Sequence, residues 1–275
     1  MSRAAAPPRA DWRQVGWLLA AVGLAGWAQR AALGSGFFAD DFLYLFRMAD
    51  APVAELLFVP NAGHLLVFRN LLFFVTWRLF GSDPGGYFAI AWLTHLLNVA
   101  LLFLLLRRLG GGAALAGVAA ALWGCLAVHA GTLGWYAVYG QAIALTLALA
   151  LLHLALACRT PPTRGVRLLL GGLVLALGSS FGSGLAVALA LPLALTLLRP
   201  QLRGGRLPPL TLAALLLAVT WATTQVVYAD QDVEQLSRLI ATPATPPPDS
   251  LAARFGALYL QPRAALMFVD LVGHG

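Results

Sequence analysis

The sequence contains no lysine and few charges of either sign. Only 11% of its 275 residues are charged and 60% are hydrophobic, whereas soluble domains average about 25% charged residues. A water-soluble globule is therefore disfavoured, and so is a disordered chain, because disorder requires low hydrophobicity. Long apolar stretches recur from end to end, so the sequence predicts an all-α, polytopic membrane helical bundle.

Cysteine is also scarce, and the sequence motifs of metal and nucleotide sites are absent. The two cysteines, Cys125 and Cys158, are too few for a disulfide framework. We expect them at opposite ends of membrane spans, about 30 Å apart, as free thiols. There is no HExxH, no CxxC and no P-loop signature, so we predict no metal site and no cofactor.

Arginine supplies all of the positive charge, and its placement argues against a nucleic-acid partner. The net charge of +7 would suggest nucleic acid in a soluble protein, but here arginines cluster in short segments between apolar stretches. That pattern is typical of cytoplasmic loops and predicts a cell-membrane location with a cytoplasmic N-terminus. Predicted inner segments hold eleven arginines and one acid, Asp11. These arginines are Arg3, Arg9, Arg13, Arg107, Arg108, Arg159, Arg164, Arg167, Arg199, Arg203 and Arg206.

The apolar stretches predict one membrane domain with about seven spans. Its parts are a first span at 14–33, an outer loop at 34–85, further spans within 87–227, and an outer segment at 228–275. Two helices at 39–58 and 64–80 are expected to lie along the membrane surface. An interfacial position is favoured for 64–80 because Arg69 and Arg78 would be costly at the bilayer centre.

Adjacent acids open the outer loop, at Asp40 and Asp41. Neighbours on a helix point about 100° apart, so they are not expected to share one proton. In one interpretation, one carboxylate acts as a base in a cavity while the other holds geometry or faces water. The alternative is ordinary solvated charge or a helix N-cap.

Basic and polar residues follow in the same region. His64, Arg69 and Arg78 could form a cationic cradle for a lipid phosphate, because the planar guanidinium can hold two oxygens at once. Alternatively, these side chains extend to lipid headgroups from an amphipathic helix. His95 and Asn98 lie one turn apart within a predicted span, where interhelical hydrogen bonds are expected.

Five segments follow one another in a recognisable order. They are the acid pair with Phe42 and Tyr44, NAGHLLVFRNLLFFVTWRLFGSDPGGY (61–87), HLLNVALLFLLLRRLGG (95–111), VHAGTLGWYAVYGQ (128–141) and SSFGSGLAVALALPLAL (179–195). In this order the segments resemble the integral-membrane glycosyltransferases of the GT-C fold, which use polyprenyl-phosphate-linked sugars. The resemblance covers about residues 15–200 and departs from the family pattern at 179–195, where an acidic residue is absent.

The resemblance implies an inverting transferase that acts on the outer side of the membrane. Its catalytic residues would be Asp40, as base, and Asp41. Its substrate-binding residues would be His64, Arg69, Arg78, Trp135 and Tyr139. The implied partners are a lipid-linked sugar donor, a glycan, lipid or protein acceptor, and membrane lipids.

Other classes of protein stay open at this point. The chain could be a non-enzymatic transporter or assembly subunit, or an inactive fragment of a GT-C enzyme. A transporter should place polar groups deep in its spans, whereas this chain places its acids at the predicted outer face. A different membrane transferase would need a His-Asp or Ser-His arrangement on one side, and no convincing one is found.

Overall fold

The computed structural model describes residues 11–58, 64, 66–157, 163–198 and 216–218. All of them belong to the first of two compact units, Met1–Gln225; the second unit, Val226–Gly275, lies outside the described residues. The described part of the chain consists of helices and turns and has no β-strand. The all-α prediction is therefore confirmed for that part.

Helices occupy most of the described residues. They are α1 (Trp12–Ala28), α2 (Asp40–Asp50), α3 (Val53–Phe58), α4 (Val67–Phe80), α5 (Pro84–Arg108), α6 (Ala113–Gly124), α7 (His129–Leu133), α8 (Gly140–Ala157), α9 (Arg164–Gly178) and α10 (Gly182–Leu198). Two 3₁₀ segments add Arg30–Gly34 and Tyr136–Val138.

Within the described residues, two stretches are long and apolar enough to cross a membrane, judged by length and composition. They are α5 and Tyr136–Ala157, which joins the second 3₁₀ segment to α8. The predicted count of about seven spans is not confirmed and stays a prediction. Of the region 87–227 predicted to hold further spans, the part 199–227 lies outside the described residues except for 216–218, and the outer segment 228–275 lies wholly outside them.

The boundaries of α5 follow from its sequence. Asp83 is the N-cap, and its carboxylate accepts a hydrogen bond from the Gly85 amide at 3.0 Å. Pro84 occupies the first helical turn, where its missing N–H costs nothing. Arg107 and Arg108 lie in the last turn, where positive charge opposes the helix dipole.

The predicted interfacial helix at 39–58 is two helices, α2 and α3, so that prediction was wrong about continuity. The break falls at Ala51–Pro52. Proline disfavours helical conformation in the residue before it and has no N–H for the helix. The second predicted helix, at 64–80, corresponds to α4, which begins at Val67.

The long helices pack closely through small residues. Helix α1 packs against α5 and α6, α5 also packs against α8, and α8 contacts α9 and α10. Gly124 shows how close the helices come. A Cβ there would lie 2.7 Å from both the Ala25 Cβ and a Val99 methyl. We call α1, α5, α6 and α8 the helical body.

Polar side chains in the helical body join its helices, as expected for His95 and Asn98. The His95 Nε2 lies 2.9 Å from the Gly124 carbonyl oxygen. Asn98 donates from Nδ2 to the Ala142 carbonyl at 3.0 Å and accepts from the Thr146 hydroxyl at 2.7 Å. The prediction of interhelical hydrogen bonds is therefore confirmed.

Aromatic rings join the loop helices to the body. Tyr136 lies at their centre, with ring centroids 4.8 Å from Phe73 and 4.9 Å from both Tyr87 and Tyr139. Its hydroxyl is 3.0 Å from the Thr76 hydroxyl on α4. This aromatic contact fixes the 3₁₀ segment against α4 and α5, directly behind α2.

Candidate functional site

The two acids at the start of α2 face different surroundings. Asp40 is the first helical residue and is exposed, whereas Asp41 is 0% exposed. This divergence follows from the 100° step between helix neighbours. Ala39 before them has a φ of 47°, the only positive φ of a non-glycine residue in the described chain. Such a conformation costs about 1–3 kcal/mol.

Asp41 is held by backbone amides from two parts of the chain. Its Oδ2 accepts from the Phe38 amide at 3.0 Å, and its Oδ1 accepts from the Ala137 amide at 2.5 Å. Burial raises the pKa of Asp41; these amide hydrogen bonds lower it and the neighbouring Asp40 charge raises it further. The buried carboxylate therefore ties the start of α2 to the 3₁₀ segment.

Arg69 is the most unusual side chain of the region. It is 1% exposed, and its guanidinium carbon lies 3.9 Å from the centroid of the Tyr44 ring. None of its three guanidinium nitrogens forms a hydrogen bond of good geometry within the described residues. Burial lowers the pKa of Arg69, while the Tyr44 phenol and the Asp41 carboxylate act in the opposite direction.

Packing confines the backbone and stem of Arg69. The amides of Phe68 and Arg69 donate to the Ser179 carbonyl at 3.2 and 3.5 Å. A Cβ at Gly140 would collide with the Ser180 carbonyl oxygen and lie 3.1 Å from the Arg69 Cγ. The turn between α9 and α10 thus closes over the start of α4, and the guanidinium extends away from it towards α2.

His64 lies at the same turn. Its ring stacks on Phe181, with centroids 6.2 Å apart and planes inclined by 26°. A Cβ at Gly182 would come within 2.9 Å of its Cε1. The imidazole is half-buried, so His64 and the backbone of Arg69 share contacts with residues 179–182.

Arg78 does not belong to this cluster. It is exposed and follows Arg69 by nine residues on α4 (78 − 69). Nine residues rotate a helix to its opposite side, at about 180°, and advance it by about 13.5 Å. The structure therefore separates the two arginines that sequence reasoning grouped together.

The two aromatic candidates differ in what their polar atoms do. Trp135 is half-buried, its ring lies 5.9 Å from Phe38, and its indole nitrogen has no partner among the described residues. Tyr139 is buried, and its hydroxyl is 2.7 Å from the Thr94 hydroxyl on α5. Trp135 thus adjoins the acid pair, while Tyr139 is engaged in helix packing.

Two participants were missing from the sequence-based set of site residues. Tyr44 carries the ring beneath Arg69 and lies three residues after Asp41, a spacing that places both on one helix face. That spacing is a signal the sequence offers. Ala137 contributes only its amide, for which no side-chain pattern exists.

The described residues contain no group of three or more His, Cys, Asp or Glu side chains arranged to hold a metal ion. We define the loop cluster as α2, α4 and residues 135–139; it brings Asp41, Tyr44, Arg69 and Trp135 together, with Asp40 at its exposed edge. Comparison with family models, curated proteins and solved structures finds no match to this chain.

Proposed function

We propose that the protein is a membrane glycosyltransferase that transfers a sugar from a polyprenyl-phosphate donor with inversion. The observation that carries the proposal is the buried guanidinium of Arg69, none of whose nitrogens forms a hydrogen bond of good geometry in the described chain. Buried charged groups are costly unless they are paired. An unpaired one beside an acid pair is therefore best explained by an anionic ligand that completes its hydrogen bonds.

A lipid phosphate suits this position chemically. The planar guanidinium of Arg69 can donate two parallel hydrogen bonds to phosphate oxygens. Neutralising that charge makes the polyprenyl phosphate a better leaving group. His64 lies at the α9–α10 turn, beside the backbone and stem of Arg69 rather than its guanidinium, so in this proposal it borders the donor site without sharing the phosphate.

Asp40 is the base in this mechanism because it is the exposed member of the pair. Its carboxylate takes the proton of an acceptor hydroxyl, whose oxygen then forms a bond to the anomeric carbon. The bond from that carbon to the phosphate oxygen breaks on the opposite face, and the phosphate keeps the electron pair. Asp41 holds the start of α2 in place through its two amide bonds.

The proposal includes the membrane arrangement that the sequence predicts. About seven spans and a cytoplasmic N-terminus place residues 34–85 on the outer side. Helix α5 and Tyr136–Ala157 support membrane insertion by their length and composition. The acceptor then approaches from outside, where the half-buried Trp135 offers a ring and an unpaired indole N–H.

Transfer by the full chain in lipid nanodiscs tests the proposal. The assay measures radiolabel passed from a panel of polyprenyl-phosphate sugars to glycan, lipid and protein acceptors. Asp40→Asn is expected to lower turnover by about 10²–10⁴-fold, the usual contribution of a general base. Asp83→Asn is the matched control, since this exposed N-cap carboxylate is replaced by an equally good capping residue.

A turnover of Asp40→Asn equal to that of Asp83→Asn removes Asp40 from the mechanism. Absence of transfer with every donor, by a correctly folded protein, contradicts the proposed activity. The burial of both Asp41 and Arg69, whose opposite charges interact, would then favour the second candidate, a non-enzymatic membrane subunit in which the two charges balance each other.

A further inference from the structure

Two histidines from distant parts of the chain meet at the end of α6, away from the loop cluster. The ring centroids of His95 and His129 are 4.7 Å apart, with planes inclined by 52°. Trp123 completes the group, 5.4 Å from His95 and 4.5 Å from His129. His95 is 2% exposed, whereas His129 is half-buried. We call His95 and His129 the histidine pair.

Hydrogen bonds to backbone carbonyls fix which ring nitrogen carries the hydrogen when each imidazole is neutral. The His95 Nε2 lies 2.9 Å from the Gly124 carbonyl, and the His129 Nε2 lies 2.9 Å from the Trp123 carbonyl. A carbonyl oxygen only accepts, so each Nε2 carries the hydrogen. Each neutral ring therefore has a bare lone pair at Nδ1. Within the described chain no residue donates a hydrogen bond to either Nδ1.

The hydrogen bonds of the histidine pair match those that histidine ligands make in metal sites. Histidine ligands commonly donate their second ring N–H to a backbone carbonyl, which fixes the tautomer and orients the free nitrogen. Both members of the pair already do so. Neutral imidazole is a favoured ligand for zinc, copper and nickel ions.

We propose that the histidine pair binds a borderline transition-metal ion, such as Cu²⁺ or Zn²⁺, through the two Nδ1 atoms. Only two side chains contribute, so water completes the coordination sphere. Entry is from the side of His129, because His95 is enclosed. The proposal is independent of the glycosyltransferase activity.

The chain supplies a matched control in His153. Its Nε2 also lies 2.9 Å from a backbone carbonyl oxygen, that of Leu101, and its ring is also half-buried. The described rings include no second imidazole stacked against it. Replacing His153 therefore removes an equivalent imidazole and hydrogen bond without touching the histidine pair.

The experiment titrates the full chain, purified without metal in detergent micelles, with Cu²⁺ alone. Paramagnetic quenching of tryptophan fluorescence reports binding next to Trp123, and electron paramagnetic resonance reports coordination by two nitrogens. Competition with a chromophoric chelator measures Zn²⁺ in the same preparations. Wild-type protein is expected to bind one ion saturably.

His129→Gln is expected to weaken binding by at least about 10-fold, since loss of supporting contacts alone costs 10–100-fold. His153→Gln is expected to bind like wild type. The half-buried His129 is chosen because replacing the enclosed His95 could prevent folding, and circular dichroism checks that the variant is helical. Non-saturable binding, equal weakening by both variants, or no nitrogen coupling overturns the proposal.

Discussion

The helical body and the loop cluster differ in how their buried polar side chains are hydrogen-bonded. In the body, Gln29, His95 and Asn98 each reach a carbonyl or hydroxyl on another helix or turn. In the loop cluster, the Arg69 guanidinium and the Trp135 indole nitrogen have no such partner among the described residues. The paired groups hold helices together, whereas the unpaired ones cost stability and indicate where a ligand acts.

Two further unpaired atoms, one in each region, show that the difference between the regions is not absolute. Asn70, on α4, belongs to the loop cluster, and its Oδ1 is unpaired although its Nδ2 donates to Leu56 at 2.9 Å. Arg107 belongs to the body, and its Nε is unpaired. Its other two guanidinium nitrogens donate to Gly111 and Gln14, however. Among the described arginines with buried nitrogens, Arg69 is thus the one whose guanidinium forms no hydrogen bond of good geometry.

The strongest test compares one polar residue from each region. Arg69→Met is expected to raise the free energy of unfolding by roughly 1–3 kcal/mol, because it removes a buried charged group whose nitrogens form no hydrogen bond of good geometry. Asn98→Leu is expected to lower it by about 1–3 kcal/mol, because two hydrogen bonds that join α5 to α8 are lost. Thermal and denaturant unfolding in detergent micelles measures both variants.

The comparison between the two regions depends on the opposite signs of these two changes in the free energy of unfolding. If Arg69→Met destabilises the protein as much as Asn98→Leu, the guanidinium serves the fold as a counter-charge for Asp41. The distinction between the regions would then be wrong. Arg69→Lys adds a second measurement, since it keeps the charge but loses the planar fork.

A smaller effect is expected where the regions meet. Gly140→Ala should destabilise the protein by about 1–3 kcal/mol, the usual cost of overpacking. Its new Cβ meets the Ser180 backbone oxygen, which cannot move aside. Gly124→Ala should cost less, because its Cβ meets only the side chains of Ala25 and Val99. Chemical denaturation in micelles ranks these variants.

Gly16→Ala is the control for these two substitutions. Nothing lies within 4 Å of a Cβ at Gly16, so the change should stabilise α1 by about 0.5–1 kcal/mol through propensity alone. If Gly140→Ala proves no more costly than Gly124→Ala, the closure of the α9–α10 turn over Arg69 is looser than the structure indicates.

The smallest expected effect is a change in folding stability at acidic pH. Burial raises the pKa of Asp41 above its usual value of 3.8, so the folded protein binds this proton more readily than the unfolded chain. The Asp41 contribution to stability therefore rises as the pH falls through the folded pKa towards 3.8. Asp41→Asn is expected to lack this rise in unfolding curves measured between neutral and acidic pH. Identical pH profiles for wild type and variant would contradict the raised pKa.

The sequence predicted the positions of helices better than their ends. Gly110–Gly112 lies between α5 and α6, and Gly178–Gly184 contains the break between α9 and α10, as expected because glycine interrupts helices. The division between α2 and α3 was missed, although Pro52 was a signal for it. Membrane crossing depends on surroundings, so the number of spans stays a prediction.

The site was predictable in its residue types and not in its geometry. Adjacent positions on α2 show that one acid must face away from the other, yet periodicity alone does not say which is buried. The position of Arg69 depends on Tyr44 and on Ser179, which are 25 and 110 positions away in the chain (69 − 44, 179 − 69). Sequence patterns report local spacing, and these contacts arise only from tertiary packing.

The Ser179 carbonyl, which accepts from the first amides of α4, has a consequence for biosynthesis. The start of α4 is translated early, whereas the carbonyl that accepts from its first amides is translated more than a hundred residues later (179 − 68). A nascent chain halted before α9 emerges leaves that helix start without its acceptor. Protease resistance of ribosome-bound intermediates around residues 66–70 should accordingly increase only after α9 and the turn that follows have left the exit tunnel.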